Sequence, residues 1–188
     1  MQHIIYSLKP GGKAAVVVPT GFITAQSGID KGIRQHLVDN RMLAGVVSMP
    51  SNIFATTGTN VSILFMDASN KADVVLIDAS SLGTKVKDGK NQKTLLSEAE
   101  EDRIIATFNG KEAIEDFSVV VSYADIADKN YSLSAGQYFD VKIEYSDLTP
   151  AQFAEKMQGF TAKLDELFKE SAGLEKEIKK RLAGLQYE

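Results

Sequence analysis

The sequence predicts an α/β fold. It opens on a strand–helix–strand–strand run, continues into a small α+β region and ends on a long helix of coiled-coil character. Three observations carry this reading. Short β-branched runs at 13–19, 46–49 and 61–66 are bounded by Pro and Gly, as buried strands are. A helical segment lies between the first two, which makes a βαβ unit. Near the end, apolar residues recur at steps of three and four for more than thirty residues, the period of an amphipathic helix. The 188 residues suffice for one ordinary core and an appendage. The expected division is 1–80, 81–147 and 148–188.

Taken in order, residues 2–8 read as the last turns of a helix, stopped by Lys9-Pro10-Gly11-Gly12. Residues 13–19 are apolar without alternation, the pattern of a strand covered on both faces. Residues 21–28 read as a loop. A helix follows at 30–41, with Ile33 and Leu37 on one face and Asp30 at its N-cap. The strand at 46–49 is expected parallel to the first, and the strand at 61–66 antiparallel. A further strand spans 74–77. The basic stretch 85–93 reads as a solvated loop. Ser97 and Glu100 have capping-box spacing and start a helix to about Phe108. Residues 117–145 read as short strands and turns, including 117–121 and 138–143. Thr149 and Gln152 form a second capping box with Pro150 at the first helical position. Leu148 and Phe153 complete a hydrophobic staple. The stripe beyond comprises Phe153, Met157, Phe160, Leu164, Leu167, Leu174, Ile178, Leu182 and Leu185. Gly159, Gly173 and Gly184 each weaken such a helix by about 1 kcal/mol relative to Ala.

Composition narrows the function. Net charge is −4, so attraction to nucleic acid must come from a local patch or a partner. The absence of cysteine removes disulfides and thiolate chemistry. His3 and His36 are the only histidines, so a histidine-rich metal site is excluded; His36, beside Leu37, reads as structural. No apolar run approaches a membrane span, and the expected location is the cytoplasm. The loop at 50–60 is too long for a tight hairpin. Long polar loops on rigid strands often bind something. This one offers hydroxyls, the amides of Asn52 and Asn60, and the ring of Phe54.

The first strand poses a problem. An all-apolar strand should not lie at a sheet edge, yet the strands at 46–49 and 61–66 cover only one side of it. The expectation is that the first half of the sheet lies upstream of this chain.

Four stretches carry a resemblance: residues 8–21 (Leu-Lys-Pro-Gly-Gly-Lys onward), 33–37 (Ile-Arg-Gln-His-Leu), 47–64 (with Pro-Ser-Asn-Ile-Phe) and 125–133 (with Asn-Tyr-Ser-Leu). Together they resemble the C-terminal half of the modification subunit of type I restriction-modification systems. The resemblance implies the back half of a Rossmann-like, S-adenosylmethionine-dependent methyltransferase sheet. Such proteins methylate the exocyclic amine of adenine in DNA. Their cofactor motif is a Gly-rich turn, and an Asn-Pro-Pro-Phe/Tyr segment holds the adenine. Neither occurs here; the prolines are Pro10, Pro19, Pro50 and Pro150, and none is adjacent to another. The chain is therefore expected to hold no catalytic or cofactor residues of its own, to be inactive alone, and to need the upstream half for S-adenosylmethionine.

The resemblance also assigns roles. Phe54 matches the aromatic that stacks on a flipped base; the alternative is that it packs under its own loop. Asn52, Thr57, Thr59 and Asn60 are candidate DNA contacts, or they satisfy loop backbone groups. Lys85, Lys87, Lys90 and Lys93 either touch phosphates or form a solvated face, the reading favoured here. Asn130-Tyr131-Ser132-Leu133 is expected to be a turn, with Tyr131 and Leu133 docking the helical tail. The C-terminal stripe packs on its own domain, forms a homodimer, or docks on a DNA-specificity subunit, as the resemblance implies. The alternative function is a truncated or split subunit acting only in assembly. An unrelated nucleotide-binding enzyme is disfavoured by the missing Gly-rich turn.

Overall fold

The computed structural model describes residues 1–54, 58–89, 91–140 and 149–184, with Asp88 and Asn91 as backbone only. The chain divides into two compact units, Met1–Asp140 and Val141–Glu188.

In the first unit, helix α1 (Gln2–Ser7) ends at a turn in which the Gly12 N–H donates to the Lys9 carbonyl at 2.8 Å. Pro10 and a left-handed Gly11 (φ +73°) are the residues such a turn requires. Strand β1 (Lys13–Pro19) leads directly into a short helix, α2 (Thr20–Thr24), where a loop was expected. Burial of Phe22 and Ile23 in the core accounts for that turn of helix. Helix α3 (Gly28–Asp39) starts at Ser27, so Asp30 lies in the first turn and is not the N-cap. There its charge still favours the positive end of the helix. Strands β2 (Leu43–Ser48), β3 (Val61–Asp67) and β4 (Val74–Asp78) follow.

The stretch expected to be a solvated loop is a hairpin, β5 (Thr84–Asp88) with β6 (Asn91–Leu95). Helix α4 (Glu98–Gly110) has the expected capping box: the Ser97 N–H donates to Glu100 Oε2 at 2.8 Å, and the Glu100 N–H to Ser97 Oγ at 3.4 Å. After strand β7 (Ser118–Val121) comes a helix the sequence reading missed, α5 (Tyr123–Asp128), capped by Ser122 and Asp125. A 3-10 turn at Ala135–Gln137 follows. The strand expected at 138–143 falls mainly outside the described residues.

The five strands run β1-β3-β2-β4-β7. β3 is antiparallel to both β1 and β2, so those two point the same way, as expected, but with β3 inserted between them. β4 is parallel to β2, and β7 antiparallel to β4. Strand β7, from beyond residue 80, thus shares a sheet with the first eighty residues. Side chains alternate between two cores. One holds Val46, Leu64 and Leu76 under α2, α3 and α5; the other holds Val47, Val75 and Ile77 with Phe108 of α4. A Cβ at Gly45 would lie 2.5 Å from the Phe108 ring and 2.6 Å from the Val75 carbonyl, so α4 seats where only glycine fits.

β2 and β4 are the strands covered on both faces. β1 is not: it forms an edge among the described strands, and Lys13, Ala15, Val17 and Pro19 are exposed. Its apolar run has one flanking strand, on the side the sequence reading anticipated.

Among the described residues, the second unit consists of helix α6 (Pro150–Ala183), 34 residues without interruption, and its flanking caps Thr149 and Gly184. The Thr149–Gln152 capping box forms, with Pro150 in the first turn. Gly159 and Gly173 lie within the helix without breaking it. Leu148, the staple partner of Phe153, lies outside the described residues.

Candidate nucleic-acid interface

Strands β1, β2 and β4 point the same way, so their carboxyl ends lie on one edge of the sheet. Open α/β sheets bind their ligands outside that edge. The loop from Met49 to Asn60 leaves the carboxyl end of β2 and returns to the start of β3. It is tied to its neighbour strands: the Met49 N–H donates to the Val61 carbonyl at 2.9 Å, and the Thr20 N–H, just beyond β1, donates to the Asn60 carbonyl at 3.0 Å. The Thr20 hydroxyl is buried with no hydrogen-bond partner among the described residues.

One limb of the loop is held by the β5–β6 hairpin. Thr94, only 2% exposed, donates from its hydroxyl to the Ser51 carbonyl at 2.6 Å and from its N–H to the Asn52 carbonyl at 2.9 Å. Asn52 adopts φ +58°, a left-handed conformation that Asn tolerates better than most residues. Two residues on, Phe54 is 49% exposed. A large ring so exposed, next to a backbone so firmly held, is available to a ligand. Thr59 and Asn60 are exposed, while Asn52 is half-buried. Thr57 lies outside the described residues. The loop therefore brings Asn52, Phe54, Thr59 and Asn60 to one sheet edge.

The hairpin is fixed at its base as well. The Gly83 N–H donates to Glu100 Oε1 at 2.8 Å. Hydrogen bonds from the Ser97 N–H, then from the Gly83 N–H, hold the Glu100 carboxyl below its ordinary range. Lys85 and Lys87 are exposed and Lys93 is half-buried; Lys90 lies outside the described residues. Nothing in the sequence pointed to Thr94. Gly89, at positive φ between the paired Asp88 and Asn91, was the available signal.

Arg34 was also missed. It is fully buried, and its guanidinium donates to the carbonyls of Phe22, Ala25 and Tyr131, the last at 2.7 Å. Burial lowers its pKa from the usual value; nearby Asp30 opposes the shift. Arg34 thus joins α2, α3 and the Asn130–Leu133 turn. That turn forms as expected, with Asn130 and Tyr131 both at positive φ. Its docking differs from expectation. Leu133 is buried in the core of the first unit, its N–H donating to the Ile23 carbonyl at 3.0 Å, and Tyr131 packs against the same core. Tyr138 donates to the Ser132 carbonyl at 2.6 Å; burial first, then the charge of Asp125, pushes its pKa up to about 12. His36 is exposed on α3, where its carbonyl accepts from Asn40 Nδ2 at 2.8 Å. Among the described residues no cluster of acidic or histidine side chains could hold a metal ion, and no helix is long and apolar enough to cross a membrane.

In the second unit, Phe153, Met157, Phe160, Leu164, Leu167, Leu174, Ile178 and Leu182 are all between 46% and 65% exposed. Leu185 lies outside the described residues.

Comparison with known proteins places this geometry. The family model described as N-6 DNA methylase matches residues 1–147. The chain is 32% identical over 193 residues to the methylase subunit of the type I restriction enzyme HindI from Haemophilus influenzae, covering all of this chain and 43% of that protein. It is 32% identical over 148 residues to the MpnII methylase subunit from Mycoplasma pneumoniae, covering 78% of this chain and 26% of that one. Among solved structures, the type I methyltransferase subunit from Streptococcus thermophilus superposes with a TM-score of 0.66 at 26% identity, over 73% of this chain and 29% of that one. The chain thus spans less than half the length of these relatives. The match extends through both cores of the sheet and the loop at its carboxyl edge, and the chain belongs to the N-6 DNA methylase family.

Proposed function

We propose that this chain is the C-terminal part of the methyltransferase subunit of a type I restriction-modification system, acting on adenine in DNA in the cytoplasm. Its contributions are the back half of the catalytic sheet, a loop that receives the target base, and a helical arm that docks on the DNA-specificity subunit. The observation that carries the reading is the loop at the carboxyl edge, with Phe54 exposed on a backbone held by Thr94 and Thr20.

The chemistry follows from the substrate. The exocyclic amine of adenine is inaccessible in a stacked duplex, so the base must leave the stack at a cost of a few kcal/mol. Stacking on an aromatic face returns about 1–3 kcal/mol per base. Phe54 supplies that face, and Asn52, Thr59 and Asn60 flank it with polar groups for the base or its phosphates; Thr57 is assigned with them from the sequence. The methyl donor in the complete subunit is S-adenosylmethionine. The turns after β1, β2 and β4 carry no Gly-rich spacing, so these residues do not fit that cofactor and no transfer step is assigned to them. The upstream half of the subunit would hold it, completing the sheet beside β1.

The test is Phe54→Ala in the complete enzyme. Methylation should fall by about 5- to 150-fold, the equivalent of the stacking energy. Cofactor binding should be unchanged. Unchanged methylation would remove Phe54 from the base site.

A further inference from the structure

The β5–β6 hairpin carries more than the Thr94 grip on the base loop, and its chemistry is specific. Residues 84–95 carry four lysines against one aspartate in a chain whose net charge is −4. Lys85 stands directly opposite Thr94, and Lys87 opposite Gln92. Cross-strand partners project from the same face with Cβ atoms about 4.5–5.5 Å apart. The face that grips the base loop through Thr94 is therefore the face that presents Lys85 and Lys87. Those two lysines are about 6.8 Å apart along the strand. Both are exposed, and among the described residues neither forms an ion pair. Lys93 stands opposite Val86 and so projects from the other face.

We propose that the β5–β6 hairpin is a DNA-backbone clamp. Lys85 and Lys87 engage phosphates flanking the target base, while Thr94 fixes the base loop to the same hairpin. The partner is duplex DNA, identified by charge: an acidic chain needs a local cationic patch to approach it. The hairpin's mounting makes the patch rigid. The Gly83 N–H bond to Glu100 and the two Thr94 bonds all hold the base of the hairpin, beside Lys85. A phosphate held on this face is thereby kept in register with Phe54. This proposal rests on the base-loop reading, because it assumes the same DNA.

The experiment is the salt dependence of specific-duplex binding by the complete modification enzyme. A 2-aminopurine at the target position reports base extrusion in parallel. Lys85→Gln with Lys87→Gln should lower the slope of log K against log salt by about 1.8, two phosphate contacts' worth. Lys93→Gln should leave the slope unchanged, and Phe54→Ala should lower the extrusion signal without changing the slope. An unchanged slope in the double variant, with extrusion intact in the parent, would overturn the clamp and leave the base loop standing. Loss of slope in Lys93→Gln equal to that in the double variant would also overturn it, since the effect would then be bulk charge. A parent enzyme that binds duplex but never extrudes the base would overturn both readings together.

Discussion

At the scale of single residues, Arg34 is the most consequential side chain in the first unit. It is a charged group with no exposure, stabilised because three backbone carbonyls from two segments, α2 with its C-cap and the Asn130–Leu133 turn, converge on its guanidinium. A planar fork with five donors suits that arrangement, and an ammonium does not. Arg34→Met keeps the bulk but leaves the carbonyls of Phe22, Ala25 and Tyr131 without their donor. Each buried unpaired group costs about 1–3 kcal/mol, so the chain should lose roughly 3 kcal/mol or more. Thermal unfolding should show a fall of at least about 6 °C, given about 2–4 °C per kcal/mol for a chain of this size. Arg34→Lys should recover only part of the loss, and equal stability of the three forms would disprove the role. The sequence hid this residue for a physical reason. Arg34 lies inside a stretch that carried the family resemblance, yet a lone arginine on a helix normally faces water. Its burial depends on carbonyls of other elements, and the Tyr131 group lies 97 residues away in the chain. The long polar loop that carries Phe54 was legible because its residues form a local pattern, and the grip of Thr94 on it was not because its partners lie more than forty residues away.

At the scale of elements, three helices begin with reciprocal capping boxes, and they differ in one chemical respect. Glu100 and Asp125 are carboxylates, whereas Gln152 of the α6 box is an amide. Both carboxylates are held below their ordinary values: Glu100 by the Ser97 N–H first and then the Gly83 N–H, Asp125 by the Ser122 hydroxyl and then its N–H. A depressed carboxylate contributes stability that is present above its unfolded pKa and is lost as pH falls through its folded pKa. The α4 and α5 caps should therefore loosen as pH drops below ordinary values of 4.5 and 3.8, and the base of the hairpin should loosen with Glu100. Amide-exchange protection factors will check this. Protection at Gly83, Ser97 and Ser122 should decline on acidification, while Thr149 keeps its own. A uniform decline would mean global unfolding instead. The Ser97 and Thr149 boxes were readable because Glu and Gln at the third position are the familiar partners. The α5 box was overlooked because Asp serves there, and the helix is only six residues long. The hairpin was overlooked because its strands are mostly polar, with Val86 and Leu95 the apolar exceptions, so no apolar alternation marked them. Only Gly89 marked the turn.

At the scale of the whole molecule, sequence direction and spatial order part company. The strand runs and their relative directions were legible, since apolar runs and loop lengths determine them. The insertion of β3 between β1 and β2 was not, because either neighbour buries the same apolar face. The C-terminal stripe was legible from Phe153 to Leu182, because a local 3.6-residue period needs no distant partner to be read. What the stripe covers is a separate question, and it can be tested. Helix α6 is about 51 Å long at 1.5 Å per residue. Its large apolar side chains remain about half exposed along one stripe, and a contiguous exposed apolar patch marks an interaction site. Lys179 pairs with Glu175 and Arg181 with Glu177, each one turn apart and acid first, the favourable order on an exposed face. Docking on the specificity subunit would bury the stripe between such charged flanks. Phe160→Asp with Leu164→Asp places two like charges in its middle. Each buried apolar side chain contributes about 1.5–3 kcal/mol, so the pair should weaken association by about 3–6 kcal/mol, or roughly a hundred- to ten-thousand-fold. Helical content by circular dichroism should stay close to that of the parent, because both positions are exposed in the chain itself. Sedimentation of the chain alone and of its mixture with the specificity subunit separates the readings. Loss of the mixed complex, with the chain alone monomeric throughout, supports the docking arm. A dimer of the parent chain that dissociates in the variant makes α6 a homodimer seam. A mixed complex that survives both charges places the docking surface elsewhere in the chain.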